Sequence, residues 1–308
     1  MSKKKVFKTG ISIVIPCHNE EGNISNLSSS IEAAFKGVNI PWEVIWVDDS
    51  SSDNTYKSMQ KLRHSKNSIL KNSYKIGQSS SIAKGLELSQ YEILATIDGD
   101  GQNNPRDLLQ MYRILDEDKS VDFCQGKRID RQDGVISRIF LSKVGNFAAR
   151  RMIGITASDL GCGTKAFRRN VLEAVPFRGE IHRLYAAHAF VRGFNVMEVE
   201  VTHSPRIFGE SKYGISRMFK FFLDIFFVKY QFRIQANPVY LFGAISALFL
   251  TLGTFSISMA LILRILGIKT YIDGSLILGG LILYAIAILS LFQGLTTDLI
   301  IRRNKYEE

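Results

Sequence analysis

The sequence predicts an α/β domain over residues 1–217, followed by a membrane hairpin of two helices. In the first part of the chain, short β-branched runs alternate with stretches whose apolar residues recur at helical spacing. This alternation is typical of βαβ units on a mostly parallel sheet. Further along, residues 234–263 and residues 274–297 contain no charged side chain, and a membrane-spanning helix needs only about 20 such residues. A wholly soluble protein is therefore excluded.

The elements of the α/β domain follow from the spacing of the apolar residues. The run Ile11–Ile15 ends at Pro16, which predicts a strand with a stop signal, and residues 23–35 then show helical spacing. The same patterns predict strands at 42–47 and 91–97, and helices at 54–62, 82–88 and 105–115. In such sheets ligands bind beyond the carboxyl ends of the strands. Residues that follow strands are therefore the candidates for chemistry.

The segment between the domain and the hairpin, residues 218–233, contains seven aromatic side chains among lysines, an arginine and an aspartate. This composition predicts an amphipathic helix in the lipid headgroup region. The alternative is a core helix of the soluble domain. For the two apolar stretches the alternative is a pair of buried core helices, but core helices of this length without charge are rare.

Basic residues flank the apolar stretches unevenly. Four precede the first stretch and three follow the second, against two in the turn between them: Arg217, Lys220, Lys229 and Arg233; Arg302, Arg303 and Lys305; Arg264 and Lys269. We expect the two apolar stretches to span the inner membrane. Because positive residues stay on the cytoplasmic side, the soluble domain, the N-terminus and the tail at 298–308 are expected in the cytoplasm.

The net charge of +10 is compatible with three kinds of partner: nucleic acid, an anionic membrane surface or a phosphorylated substrate. The chain has no zinc-finger spacing, no convincing helix-turn-helix and no aromatic RNA-binding signature, so nucleic acid is not an expected partner. The three cysteines, Cys17, Cys124 and Cys162, are odd in number and lack a CxxC spacing. A disulfide framework is excluded, and a reducing compartment fits.

Acidic residues follow two of the predicted strands. Asp48 and Asp49 follow one, and Asp98, Asp100 and Gln102 lie on a glycine-rich turn after another. An oxygen-rich set of this kind suits Mg²⁺ or Mn²⁺, completed by water and substrate phosphates. The alternative for the first pair is a helix-capping turn. A Walker loop and a G-x-G-x-x-G turn are both absent, and the histidines are too scattered for zinc.

Several motifs occur in an order that resembles a known family. They are Ile15-Pro-Cys-His-Asn-Glu20, Val47-Asp-Asp-Ser-Ser-Ser-Asp53, Asp98-Gly-Asp-Gly-Gln102 with Pro105, Gly126-Lys-Arg128, Asp159-Leu-Gly-Cys-Gly-Thr-Lys-Ala-Phe-Arg168, His182-Arg183, Ser204-Pro-Arg206 and Gly209-Glu-Ser-Lys-Tyr213. The chain resembles the membrane-anchored GT-A glycosyltransferases of family 2, which load a sugar onto a polyprenyl phosphate. Dolichyl-phosphate mannose synthases and bacterial undecaprenyl-phosphate sugar transferases typify them. The resemblance covers nearly the whole chain and implies a Rossmann-like GT-A domain.

The resemblance also implies roles for individual residues. The nucleotide sugar would be bound by Pro16, Glu20, Asp48, Asp49, Asp98, Asp100, Arg206 and Lys212. The metal would be held by Asp98, Asp100 and Gln102, and the acceptor phosphate by Arg128, Arg138 and Ser142. The catalytic set would be Asp100, Asp159, Arg206 and Lys212, with Asp159 either orienting an arginine or the sugar, or only capping a helix. A homo-oligomer, a tetramer, is implied as well.

The departures from the family pattern concern the substrate rather than the class. Gly101 stands where the family usually has a bulkier residue, Asn103-Asn104 replace a histidine-proline or double proline, and residues 294–298 lack a common glutamate-tyrosine.

The expected function is inverting, metal-dependent transfer of a sugar to undecaprenyl phosphate at the cytoplasmic membrane face, for envelope glycan or lipid A modification. A UDP-sugar is favoured over GDP-mannose. The alternatives are a processive polysaccharide synthase, a transferase for a soluble acceptor and a non-catalytic membrane scaffold.

Overall fold

The computed structural model describes residues 7–62, 66–129, 150–177, 181–204, 224, 226–228, 230, 234, 237–267 and 271–307. The chain divides into two compact units, Met1–Val228 and Lys229–Glu308. The first unit is the α/β domain, and the second contains the two long apolar helices.

A seven-stranded sheet organises the described part of the α/β domain. Its strands are β1 Lys8–Cys17, β2 Trp42–Asp48, β3 Asn67–Lys71, β4 Tyr91–Thr96, β5 Phe123–Ile129, β6 Lys165–Arg168 and β7 Val196–Thr202. Their order across the sheet is β3-β2-β1-β4-β6-β5-β7. Only β6 runs against its neighbours, pairing antiparallel with both β4 and β5. The predicted mostly parallel α/β sheet is therefore confirmed.

The helices of this unit connect the strands. They are α1 Ile24–Phe35, α2 Thr55–Gln60, α3 Gln78–Leu88, α4 Arg106–Glu117, α5 Arg169–Ala174 and α6 Tyr185–Val191, with a 3₁₀ turn at Ile181–Arg183. The four helices predicted from spacing correspond to α1 to α4. The largest difference lies at α3, which begins at Gln78 rather than at residue 82 because its first turn is built from polar residues. Strands β3, β5, β6 and β7 were not predicted.

The core lies on both faces of the sheet. Side chains alternate along β1, so Ile13 and Ile15 pack under α1 and α4, while Val14 packs on the opposite face with residues of α3. On that second face Phe123 and Phe167 stack at 5.3 Å between ring centroids, and Tyr185 closes on both rings. Strands covered on both faces are almost continuously apolar, which explains why β1, β2 and β4 were the strands visible in the sequence.

The second unit is an antiparallel helical hairpin. Helix α7 spans Pro238–Ile265 and α8 spans Tyr271–Glu307, and both contain windows apolar and long enough to cross a membrane. Helix α8 continues through the stretch expected to form a tail at 298–308, as far as Glu307. At the end of the first unit, Val228 is buried in the α/β core, whereas Phe226 and Phe227 are exposed. The headgroup-helix assignment of 218–233 stays a prediction.

Small residues at intervals of seven line the contact between α7 and α8. These small buried residues are Ser246, Gly253 and Ala260 on α7, and Gly280, Ala287 and Gly294 on α8. A seven-residue repeat is the spacing of left-handed helix packing, and small side chains let two backbones approach closely. A Cβ added at Gly253 would lie 2.8 Å from the Tyr284 ring and 3.0 Å from the carbonyl oxygen of Gly280. The hairpin therefore depends on the absence of a side chain there.

Two matched glycine substitutions test this packing. Gly253→Ala should lower the stability of the hairpin by about 1–3 kcal/mol, because the new methyl group overlaps the partner helix. Gly243→Ala, on the same helix with nothing within 4 Å of the added Cβ, should leave stability unchanged or raise it slightly. Thermal unfolding of both variants in detergent is the measurement. Equal melting temperatures for the two variants would contradict the packing.

Candidate functional site

The acidic turn predicted from the sequence lies at the carboxyl end of β4. Asp98 follows the strand by two residues, is half-buried, and accepts a hydrogen bond of 2.9 Å from Gln78 Nε2. Burial, and then the negative charge of Asp100, raise the pKa of Asp98 to about 6. Asp100 Oδ1 accepts a hydrogen bond from the backbone N–H of Gln102 at 3.2 Å. The turn thus brings the negative charge of Asp100 close enough to oppose the ionisation of Asp98.

These carboxylates fit a divalent cation, because a cation would relieve their mutual repulsion. The backbone makes room for them: a Cβ added at Gly163 would overlap the carboxylate of Asp98. The Gln102 side-chain amide is fixed by donating to the carbonyl oxygen of Ser204 at 3.2 Å. Within the described ranges no three His, Cys, Asp or Glu side chains converge on a metal position. The chain thus offers two carboxylates and an amide, the kind of incomplete shell that Mg²⁺ accepts when substrate phosphates and water supply the rest.

Asp49, expected near a nucleotide base, has its carboxylate engaged by the chain itself. It is only 4% exposed and accepts hydrogen bonds from Ile76 N (2.8 Å), Gly77 N (2.9 Å) and Asn72 Nδ2 (3.0 Å). Burial acts to raise the pKa of Asp49, but these hydrogen bonds outweigh it and hold the pKa below its usual value. Asp49 therefore orders the segment between β3 and α3.

Asp48, Pro16 and Glu20 lie close by in the fold, at the carboxyl ends of β1 and β2. Asp48 is fully buried, and its Oδ2 has no hydrogen-bond partner among the described residues. Pro16 lines the same cleft as Asp98. Glu20 Oε2 accepts a hydrogen bond from Asn23 Nδ2 at 2.7 Å. Their assignment to nucleotide binding stays a prediction.

Asp159 forms a two-pronged ion pair with Arg128. Its carboxylate accepts from Arg128 Nε at 2.7 Å and from Nη2 at 2.8 Å, and both side chains are nearly buried. Glu198 supports this pair from β7, since its carboxylate accepts hydrogen bonds from Ser158 N (2.6 Å) and Asp159 N (3.1 Å). Of the roles considered for Asp159, the geometry corresponds to orienting an arginine. Bidentate pairs fix the plane of the guanidinium, so the position of Arg128 is tightly set.

Lys165, for which the sequence predicted no role, lines the cleft beside Asp98. Lys165, on β6, is only 3% exposed, and its Nζ donates to the carbonyl oxygen of His182 at 2.5 Å. Burial lowers the pKa of Lys165 to about 8. His182 Nδ1 lies 2.7 Å from Ser79 Oγ, and burial lowers the pKa of His182 to about 3. The only signal in the sequence was a lysine that follows two closely spaced glycines, Gly161 and Gly163, and lysine is usually a surface residue.

The remaining predicted site residues lie outside the described part of the chain. These are Arg138, Ser142, Arg206 and Lys212.

Comparisons with known proteins agree with these observations. The sequence profile described as "Glycosyl transferase family 2" matches residues 12–175. Dodecaprenyl-phosphate galacturonate synthase of Rhizobium johnstonii is 31% identical over 303 residues, covering 95% of this chain and 88% of the relative. Undecaprenyl-phosphate 4-deoxy-4-formamido-L-arabinose transferase of Pseudomonas savastanoi pv. phaseolicola is 30% identical over 276 residues, covering 87% and 78%.

Solved structures show a similar fold. Glucosyl-3-phosphoglycerate synthase of Mycobacterium tuberculosis, in complex with Mn²⁺ and uridine diphosphate, has a TM-score of 0.55 at 17% identity, covering 72% of this chain and 80% of that one. Mannosyl-3-phosphoglycerate synthase of Rubrobacter xylanophilus has a TM-score of 0.57 at 13% identity, covering 71% and 72%. At these identities the similarity establishes the fold, the mixed α/β GT-A fold.

Substitution of the glycine beside Asp98 tests the metal assignment. Gly163→Ala should weaken Mn²⁺ binding, because the added methyl group would displace the Asp98 carboxylate. The expected loss is roughly 10- to 100-fold, the range seen when groups that support a metal site are altered. Gly161→Ala is the control: its Cβ would lie 3.7 Å from Arg128 Nη2, an ordinary contact. Titration with Mn²⁺, with and without uridine diphosphate, is the measurement. Unchanged affinity in a folded Gly163→Ala protein would exclude Asp98 as a ligand.

Proposed function

The chain belongs to glycosyltransferase family 2, and from that premise we propose that it transfers a sugar from a UDP-sugar to a polyprenyl phosphate in an inverting, metal-dependent reaction. The observation that carries the proposal is the acidic turn at Asp98, Asp100 and Gln102. It lies at the carboxyl end of β4. The two relatives compared above are named as polyprenyl-phosphate sugar transferases, and the similarity extends over most of their length. Undecaprenyl phosphate is the proposed acceptor.

The acidic turn would stabilise the leaving group. When bound by Asp98, Asp100 and Gln102, Mg²⁺ or Mn²⁺ supplies positive charge where the departing nucleoside diphosphate becomes more negative. Arg206 and Lys212 are proposed to contact the same phosphates. The two carboxylates by themselves would repel a diphosphate, which is the reason for proposing metal dependence.

The acceptor needs no general base. A polyprenyl phosphate is largely doubly ionised at neutral pH, since the second pKa of a phosphate monoester is about 6. One of its oxygens attacks the anomeric carbon as the bond to the diphosphate oxygen breaks, so a single in-line displacement inverts that carbon. Asp159 is then available to orient Arg128. Arg128 is proposed to bind the acceptor phosphate together with Arg138 and Ser142.

The donor sugar is left open by the relatives. One is named for galacturonate, which carries a carboxylate, and another for a formamido-arabinose. A lipid-linked sugar of either kind would serve envelope glycan or lipid A modification.

The two apolar helices support anchoring in a membrane. We propose that the protein lies in the inner membrane, with the catalytic domain and both termini in the cytoplasm. More basic residues lie before the first span and after the second than in the turn between them, and positive residues favour the cytoplasmic side. The homo-oligomeric state, a tetramer, is also part of the proposal.

Loss of one carboxylate tests the chemistry. Asp100→Ala should reduce transfer at least about 100-fold while the protein stays folded, because the side chain lies on a turn rather than in the core. Asp116→Ala, an exposed carboxylate paired with Lys119 at 3.3 Å, should retain activity. The assay follows labelled UDP-sugars into the lipid phase with undecaprenyl phosphate as acceptor. Excess chelator should abolish transfer and added Mg²⁺ or Mn²⁺ should restore it, so full turnover in chelator would refute metal dependence.

Substitution of Arg128 tests whether this residue binds the acceptor phosphate. Arg128→Lys keeps one positive charge but loses the planar fork, so we expect KM for the lipid phosphate to rise about 10-fold with little change in KM for the donor. The control is Lys127→Ala, which removes an exposed pair with Glu200 at 3.7 Å that contributes little to stability. Steady-state kinetics with each substrate varied in turn separates the two effects. A defect confined to the donor would move Arg128 to the nucleotide sugar.

A further inference from the structure

We propose that the side of α8 that points away from α7 binds a second copy of this chain within the bilayer, and that the side-chain amide of Gln293 pairs with the same amide of that copy. The inference rests on the membrane anchoring in the proposed function and extends it by naming the surface through which copies associate. It starts from a polar side chain in an apolar helix.

Gln293 is exposed on the surface of the helical hairpin, inside the apolar span Gly274–Arg303. The next charged residue along the chain is Asp298, which pairs with Arg302 at 2.7 Å. Gln293 precedes Asp298 by five residues, about 7.5 Å along the helix axis. The amide therefore lies on the apolar side of the charged end of the span, where a polar group without a hydrogen-bond partner is costly.

Within the part of the chain that the structure describes, the Gln293 side-chain amide makes no hydrogen bond. The neighbouring hydroxyl groups differ, because they bond to their own helix. Thr296 Oγ1 donates to the carbonyl oxygen of Phe292 at 3.0 Å, and Thr297 Oγ1 donates to the carbonyl oxygen of Gln293 at 2.7 Å. A primary amide carries two donor hydrogens and an acceptor oxygen, so Gln293 is the group here that calls for a partner outside the hairpin.

Gln293 belongs to a regular stripe of exposed side chains on α8, which we call the outer stripe. Its members recur at alternating intervals of four and three residues: Ile282, Ile286, Leu289, Gln293, Thr296 and Ile300. This is the spacing of the core positions of two parallel helices that pack with a left-handed twist, and a single polar residue among them fixes the register. Leu289 follows Gly280 by nine residues, about two and a half helical turns. The outer stripe therefore lies on the side of α8 opposite its contact with α7.

A second copy of the chain is the partner that fits this stripe. Copies that insert with the same orientation place Gln293 at the same depth, so a parallel contact between two α8 helices brings the two amides together. A two-fold axis along the membrane normal sets each residue of the contact opposite itself. Two primary amides are complementary, because the N–H of each can donate to the oxygen of the other, and hydrogen bonds between glutamine side chains stabilise helix association in bilayers. A different membrane protein would need a polar group at the matching depth.

Cross-linking between copies tests which side of α8 forms the contact. Leu289→Cys and Ile288→Cys place a thiol at adjacent positions of nearly equal depth, 68% and 55% exposed in the unaltered chain, but about 100° apart around the helix. Each full-length variant would be purified, reconstituted alone in phosphatidylcholine vesicles and oxidised with copper phenanthroline. The unaltered protein is the blank, since Cys17, Cys124 and Cys162 are buried. We expect Leu289→Cys to form a covalent dimer and Ile288→Cys to remain mostly monomeric.

Removal of the amide tests the role of Gln293. In the Leu289→Cys protein, Gln293→Met keeps the length of the side chain and removes its hydrogen bonds. The protein-to-lipid ratio that gives half-maximal cross-linking should then rise about 3- to 30-fold, the range of a hydrogen bond between helices in a bilayer. Gln293→Asn should retain most of the association, because it keeps an amide. Leu299→Met, at an exposed position outside the outer stripe, is the control and should leave the ratio unchanged.

The outcomes separate this inference from the proposed function. Equal cross-linking of Leu289→Cys and Ile288→Cys would overturn it, whether or not Gln293→Met inserts correctly. Unchanged association of an inserted Gln293→Met protein would overturn the role of the amide, and cross-linking seen only in native membranes would assign the outer stripe to a different membrane protein. Failure of the protein to float with the vesicles would refute the anchoring and this inference with it. If no sugar reached the lipid, the proposed transfer would fail, and the cross-linking would still decide the contact because it uses no substrate.

Discussion

The antiparallel pairing of β6 with β4 is the constraint on which the site depends. It places Gly163 opposite Asp98, and Thr96 Oγ1 secures the contact by donating to the carbonyl oxygen of Gly163 at 2.9 Å. A parallel strand in that position would send the glycine-rich stretch away from the acidic turn. Because β6 is reversed, the residues that precede it reach the same edge of the sheet as the residues that follow β4.

The same stretch brings a second group of charges to this edge. Gln125, buried on β5, donates to the carbonyl oxygen of Asp159 at 2.9 Å, and Glu198 on β7 receives the N–H of Asp159 from the other side. Asp159 then holds Arg128. Two strands, β5 and β7, and the stretch that precedes β6 therefore determine the position of one guanidinium. The side chains of this group are largely buried, so each polar contact is strong, and its loss would leave a buried group unpaired.

The sequence predicted the strands that are buried on both faces of the sheet and the acidic turn at the end of one of them. Strands β1, β2 and β4 are apolar on both faces, and the acidic turn follows one of them directly, so the fold class and the turn could both be predicted. Strand β6 could not, because it has four residues and begins with a lysine. A lysine in a strand is expected to be exposed to solvent. Lys165 is buried instead, and its ammonium group donates to the carbonyl oxygen of His182, a contact that no local pattern predicts. The pairing of Asp159 with Arg128 joins residues 31 positions apart, a separation that no local pattern specifies.

The length of the close-packed hairpin decides how it would fit into a lipid bilayer. The 28 residues of α7 rise about 42 Å, whereas the hydrocarbon core of a typical bilayer is about 30 Å thick. The small residues that join α7 to α8 extend along much of this length, so the pair would have to adapt to the bilayer as one body. Such a body meets the mismatch by tilting, by projecting its ends among the headgroups, or by thickening the lipid next to it. The inclination of the hairpin should therefore vary with acyl-chain length, and thick bilayers should hold it most upright.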